Sequence, residues 1–181
     1  MYVPRYIFFT KGTGVSKEKL SSFENALSDA RISMFNLVKV SSIYPPESKI
    51  IGIDEGLEIL SPGQVVHCVL SRVACQEPGR RMAASVGLAL PVENGHYGFL
   101  SEHYGFGQSE KEAGKYSERL AVSMLANTEG EEICPDESYD CDEDLYEVNG
   151  KKVESSNFTM ARTAAEGGLW TTVLSAAILV P

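Results

Sequence analysis

Apolar and polar positions along the chain separate several short strands from two longer helices. Val3 to Thr10 is β-branched and aromatic, which predicts a strand, and Lys11-Gly12-Thr13-Gly14 is expected to break it. Ser16 can then cap a helix over Lys17 to Ala30. There Leu20, Phe23, Ala26, Leu27 and Ala30 recur at spacings of three and four, the pattern of one buried face, and Glu24 borders that stripe. Met34 to Ile43, carrying Phe35, Leu37, Val38 and Val40, reads as a strand stopped by Pro45-Pro46. Val65 to Val73 is another. Ser85 to Val92 and Tyr97 to Tyr104 flank Glu93-Asn94-Gly95-His96 and predict a hairpin on an Asn-Gly turn. A second helix is expected over Glu110 to Asn127, with Ala113, Tyr116, Leu120, Ala121, Met124 and Leu125 on one side. Leu169 to Val180 is a last apolar strand, whose Ser175, Ala176 and Ala177 are small enough for close packing between sheets.

These elements, about six strands and two principal helices without repeats or a long linker, predict one domain over residues 1–181. Because the strands do not alternate regularly with helices, an α+β layered sandwich is expected rather than a doubly wound sheet. Composition agrees with a soluble globular protein, at 43% hydrophobic and 23% charged residues. A chain of this length buries about 70% of its unfolded surface and needs no disulfide or metal to fold. Cys68, Cys75, Cys134 and Cys141 lack the C-x2-C or C-x4-C spacing of a zinc site and are expected to be free thiols in a reducing cytosol. The longest aliphatic run, Ala176 to Val180, is far short of the roughly 20 residues that cross a bilayer. Tyr6-Ile7-Phe8-Phe9 is too short for a signal peptide. A cytoplasmic location with no membrane partner follows as the expectation.

The net charge of −9 is unevenly spread. Nine carboxylates lie between Glu129 and Asp144 with no Lys or Arg among them, so the remaining sixteen match the sixteen basic residues. A neutral body with one acidic segment argues against nucleic-acid binding. The even spacing of Asp136, Asp140, Asp142 and Asp144 suggests a calcium loop, but the loop glycine and the terminal bidentate Glu are missing. A solvated acidic insertion over about residues 129–144 is expected, and no metal.

The stretch with chemical content is Asn36-Leu37-Val38-Lys39-Val40-Ser41-Ser42-Ile43-Tyr44-Pro45-Pro46. Two serines end an apolar strand, and the double proline beyond them prevents its continuation, a geometry that can hold a peptide bond under strain. A hydroxyl held against the preceding carbonyl can attack it and shift the acyl group from nitrogen to oxygen. Elimination of the ester then leaves dehydroalanine, which hydrolyses to a pyruvoyl group and ammonia. Cleavage would fall between Ser41 and Ser42.

On these residues the chain resembles the pyruvoyl-dependent arginine decarboxylases of prokaryotes over most of its length. The resemblance rests on Phe23-Glu24, Asn36-Leu37, Val40-Ser41-Ser42-Ile43-Tyr44-Pro45-Pro46, Glu77-Pro78-Gly79 and Leu100-Ser101-Glu102-His103, which agree in order and spacing. It implies an α/β/β/α sandwich, self-cleaved within one domain into a β chain of residues 1–41 and an α chain of residues 42–181. It also implies a homo-oligomer of αβ units built on trimers, with sites between neighbouring protomers. The reaction implied is conversion of L-arginine to agmatine and CO2, an entry to polyamine biosynthesis. It would run through a Schiff base on the pyruvoyl group made from Ser42, with neither metal nor PLP. Glu102 matches the proton donor and Asn36 the amide that orients a carbonyl. Glu24 stands where the family has an aspartate that receives the substrate guanidinium.

Without the resemblance, Asn36 is a polar residue at a strand start and Glu24 a solvated helix residue. Glu102, between apolar neighbours near a strand end, remains a candidate, and His103 is expected on the opposite face. Two other readings stand beside arginine decarboxylation: a pyruvoyl decarboxylase of histidine or aspartate, and a non-catalytic oligomeric binding protein on the same fold.

Overall fold

The computed structural model describes residues 3–93, 95–128, 130, 138–140 and 145–181. In chain order the first elements are β1 (Tyr6–Ser16), α1 (Lys19–Asp29), β2 (Asn36–Lys39), β3 (Ile43–Tyr44), β4 (Lys49–Ile50), α2 (Ile53–Ile59) and β5 (Val65–Cys75). They are followed by β6 (Arg81–Pro91), β7 (Gly98–Phe106), α3 (Glu110–Thr128), β8 (Tyr139–Asp140), β9 (Leu145–Val148), β10 (Lys151–Thr163) and β11 (Trp170–Val180). The strands form a five-stranded sheet ordered β2-β5-β11-β1-β4 and a six-stranded sheet ordered β3-β7-β6-β10-β9-β8.

Strand side chains alternate between faces, and that alternation builds the layers. On β1, Phe8 packs with Ala26 and Leu27 of α1, whereas Ile7 and Phe9 join Val86 and Leu88 of β6 across the sheets. On β11, Leu174, Ala176 and Ile178 go to the α1 side and Ala177 and Leu179 to the space between sheets. Ala89 of β6 lies against Ala121, Val122 and Leu125 of α3 on the far side. The α+β architecture is therefore two facing sheets with α1 and α3 outside them. Phe9 and Phe158 stack across the gap with ring centroids 3.7 Å apart. Ser175 donates to the Phe158 carbonyl, so the small residues of β11 do allow close approach.

Several expectations change. Gly12 and Gly14 do not end β1, which pairs with β11 from Tyr6 to Ser16. They let α1 lie directly on the sheet: a Cβ on Gly12 would sit 2.3 Å from the Ala26 carbonyl oxygen, and one on Gly14 2.2 Å from that of Ser22. The buried stripe of α1 is accordingly Ser22, Ala26 and Leu27, and Leu20 is 71% exposed. Glu18 rather than Ser16 is the N-cap, without a side-chain cap bond. Met34 to Ile43 is not one strand but β2 and β3 in different sheets. The β6–β7 hairpin pairs from Met82 with Phe106 to Ala89 with Phe99, longer than expected, and Gly95 takes φ +86°. Asn94 lies outside the described residues, as does the acidic segment apart from Gly130, Ser138, Tyr139 and Asp140.

The sequence also concealed α2 and β10. Gly56 of α2 fits against the Phe8 ring, where a Cβ would meet Cδ1 at 2.2 Å. β10 is largely polar, yet it pairs with β6 along its length from Val153 to Thr163. Its inward polar groups are satisfied: Thr159 bonds Ser85 at 2.7 Å and Asn157 donates to Glu118 at 2.7 Å. None of the described helices is long and apolar enough to cross a membrane.

Candidate active site

The serine pair lies where the chain leaves one sheet for the other. β2 runs parallel to β5 from Asn36 opposite Val65 to Lys39 opposite Cys68, and the next amide, Val40 N–H, donates to the Cys68 carbonyl at 3.0 Å. Two residues later the Leu100 N–H of β7 donates to the Ser42 carbonyl at 2.7 Å, and β3 pairs Ile43 with Phe99. Ser41 is thus the single residue between an anchor on each sheet. Downstream, Tyr44 is buried, its hydroxyl donates to the Ser48 carbonyl at 2.6 Å, and Glu47 takes φ +63° in the turn after Pro45-Pro46. Among the described residues, left-handed non-glycine backbone occurs at Arg31, Glu47 and Asn149. The strain anticipated at the serine pair therefore has no counterpart in its φ angles.

Glu102 comes to this crossing on β7, two positions beyond the residue that holds Ser42. Leu100 packs between the sheets, while Ser101 donates to the Ser117 carbonyl of α3 at 2.6 Å and the His103 ring lies 4.3 Å from that of Tyr116 on α3. Alternation puts Glu102 on the Leu100 face and His103 opposite, as the sequence suggested. Its carboxylate is not alone. Lys39 Nζ donates to Glu102 Oε2 at 2.7 Å, with the Glu102 side chain 30% exposed and that of Lys39 54% exposed. Buried Cys68 adjoins this pair. Burial pushes its thiol up to about 11, Lys39 pulling the other way and Glu102 adding to the rise, so it stays protonated at neutral pH. Lys39 was missed from sequence although it lies inside the same motif. A charge between Val38 and Val40 was its only signal.

The other two candidates lie apart within the protomer. Asn36 is exposed at the start of β2, three residues or about 10 Å along the strand from Lys39. Its Nδ2 donates to the Gly63 carbonyl at 2.8 Å. Glu24 is exposed on α1 and does not line the nearby groove of about 570 Å³ formed by Leu20, Phe23, Arg72, Tyr104 and Phe106 among others. The Arg72 guanidinium covers the Phe23 ring there at 4.4 Å. One protomer therefore unites Ser41, Ser42 and Glu102, adds Lys39, and leaves Asn36 and Glu24 outside. Among the described residues no group of His, Cys, Asp and Glu is arranged to hold a metal.

Two facing sheets, a serine pair at the passage between them and an ion-paired carboxylate beside it are an arrangement suited to a decarboxylase that draws its electrophile from its own chain. The family described as pyruvoyl-dependent arginine decarboxylase matches residues 6–181, and the chain belongs to it. It is 51% identical over 180 residues to a Chloroherpeton thalassium protein named "Probable pyruvoyl-dependent arginine decarboxylase", with 99% of each chain covered. It is 46% identical over 178 residues to the "Pyruvoyl-dependent arginine decarboxylase" of Methanococcoides burtonii, covering 98% of this chain and 99% of the relative. Membership gives the reaction class, a carboxy-lyase acting on arginine, and the prosthetic group, a pyruvoyl. The residues present fit that group, since a serine such as Ser42 has the three carbons a pyruvoyl needs and the Leu100 N–H holds its carbonyl in place.

Proposed function

We propose that the protein converts L-arginine to agmatine and CO2 in the cytoplasm, for polyamine biosynthesis, with a pyruvoyl group that it makes by cutting its own Ser41–Ser42 bond. The observation that carries the reading is the anchoring of Val40 to one sheet and Ser42 to the other, which holds both sides of that bond while leaving it outside either ladder. Ser42 Oγ attacks the Ser41 carbonyl carbon, and the acyl group moves from nitrogen to oxygen. Loss of the Ser42 α-proton and of the Ser41 carboxylate by β-elimination frees residues 1–41 as one chain and leaves dehydroalanine at the start of residues 42–181, where water supplies the ketone oxygen of the pyruvoyl and ammonia leaves.

A pyruvoyl group at residue 42 would supply the electron sink for the pair released as CO2 departs. Glu102, whose part-exposed carboxylate takes up a proton from solvent, delivers it to the carbon that has lost CO2. Asn36, which lies outside the crossing of its own protomer, would orient a carbonyl through its amide at a site shared with a neighbouring copy. Gly63 occupies one of the two Nδ2 hydrogens and so fixes the amide plane, leaving the second to donate. Glu24 receives the substrate guanidinium. Its exposure on α1, away from Ser42, is compatible with a site shared between copies, in the trimer-based homo-oligomer that the family resemblance implies, where α1 of one copy would face the serine pair of the next.

Mass spectrometry of the purified protein tests the processing step, and one intact chain of 181 residues would favour a binding protein without the chemistry. CO2 release from each amino acid in turn tests the substrate. Arginine is expected to react faster than lysine or ornithine, because a planar guanidinium engages a carboxylate through two parallel hydrogen bonds. Glu24→Gln should lose most of this preference. Equal rates on arginine and an uncharged amino acid would remove Glu24 from the site, and a sedimentation mass of one αβ pair would remove the trimer.

A further inference from the structure

Glu102 reaches the crossing on a side chain with three rotatable bonds, and β7 fixes only its Cα. At 30% side-chain exposure it has open solvent into which to turn. What holds it is a bond across the two sheets: Lys39 Nζ of β2 to Glu102 Oε2 of β7 at 2.7 Å. We propose that Lys39 is the positioning residue of the proton donor, a role that rests on the reading of Glu102 given above. A charge-assisted bond to one carboxyl oxygen fixes the torsion of the group and leaves Oε1 to face the reacting carbon. The backbone beneath Lys39 is itself fixed, since Lys39 pairs with Cys68 and the following Val40 amide is bonded to the Cys68 carbonyl. Lys39 is also three residues before Ser42. After cleavage at Ser41–Ser42 it belongs to the short chain and Glu102 to the long one, so the pair ties the end of the first chain to the donor carried by the second.

The experiment compares Lys39→Met, Glu102→Gln and the double variant in cleaved protein, with kcat and KM for arginine measured for each. Lys39→Met is expected to lower kcat by about tenfold to a hundredfold, the scale of a displaced catalytic group, with KM within about twofold of the parent. Placed on Glu102→Gln it should add less than about twofold, because a residue acting only through Glu102 has nothing left to position. Lys39→Arg, which keeps a charged donor, should recover much of the loss. Should Lys39→Met fail to fold or to cleave, Lys39→Gln against Lys39→Arg makes the same comparison. Parent-level kcat in Lys39→Met beside an impaired Glu102→Gln overturns the inference alone. So does a rise in KM without loss of kcat, which would mean that Lys39 binds substrate, and so does full additivity in the double variant. An unimpaired Glu102→Gln sinks the donor reading itself.

Discussion

Ser42→Ala is expected to leave one uncut chain of 181 residues with no decarboxylase activity. The substitution removes the only atom that can attack the Ser41 carbonyl from within its own residue. On the proposed mechanism it also removes the source of the pyruvoyl group, so processing and turnover are expected to fail together. Folding should survive. Ser42 is only half-buried, and its contribution to the β3–β7 pairing is the carbonyl that accepts from Leu100 N–H at 2.7 Å, which alanine retains. The expected result is therefore a single band on denaturing electrophoresis, an unfolding midpoint close to that of the parent and no CO2 from arginine. Two fragments of the parental masses from this variant would exclude the intramolecular acyl shift.

Glu102→Gln should slow turnover by about 10²- to 10⁴-fold, the range for loss of a general acid, while arginine still binds. The amide keeps the shape of the carboxyl but cannot give up a proton to carbon at a useful rate. Little fold stability is at stake, because the Lys39 ammonium left behind is 54% exposed and stays hydrated. Cleavage at Ser41–Ser42 should proceed, since Ser42 Oγ and the Ser41 carbonyl are untouched. Single-turnover measurement with arginine separates binding from the proton step. Turnover within twofold of the parent would remove Glu102 from the site.

The parts legible in the sequence were those whose signal is local. β5, β6 and β11 announce themselves by largely apolar runs because both faces are covered, one by a helix and the other by the second sheet, and β7 by the Asn-Gly hairpin signal that pairs it with β6. α3 shows its 3.6-residue period for the opposite reason, that only one of its faces is buried, although Tyr116, expected on that face, is 52% exposed. β10 gave no such signal, because hydroxyl and amide groups face Ser85 and Glu118 and meet their needs by hydrogen bonding. Gly12 and Gly14 were misread for a related reason. A glycine pair that turns the chain and one that admits a helix have the same composition, and only the Ser22 and Ala26 carbonyls behind them tell the two apart.

The candidate site divides in the same way. The serine pair, its double proline and Glu102 in its strand are adjacent in sequence to what makes them unusual, so the sequence alone determined the sandwich class and the family, and it singled out Ser41–Ser42 as the bond proposed for cleavage. Tertiary structure decided that β2 and β3 belong to different sheets, with Ser41 between an anchor on each. It decided too that Lys39, 63 residues from Glu102, closes on it at 2.7 Å, while Asn36 turns to Gly63 and Glu24 stays on the outer helix. The physical reason is that side-chain periodicity reports which face of an element is buried and carries no record of what buries it. Pairing across sheets is settled only when the two hydrophobic faces close on each other and bring distant polar groups within hydrogen-bond reach.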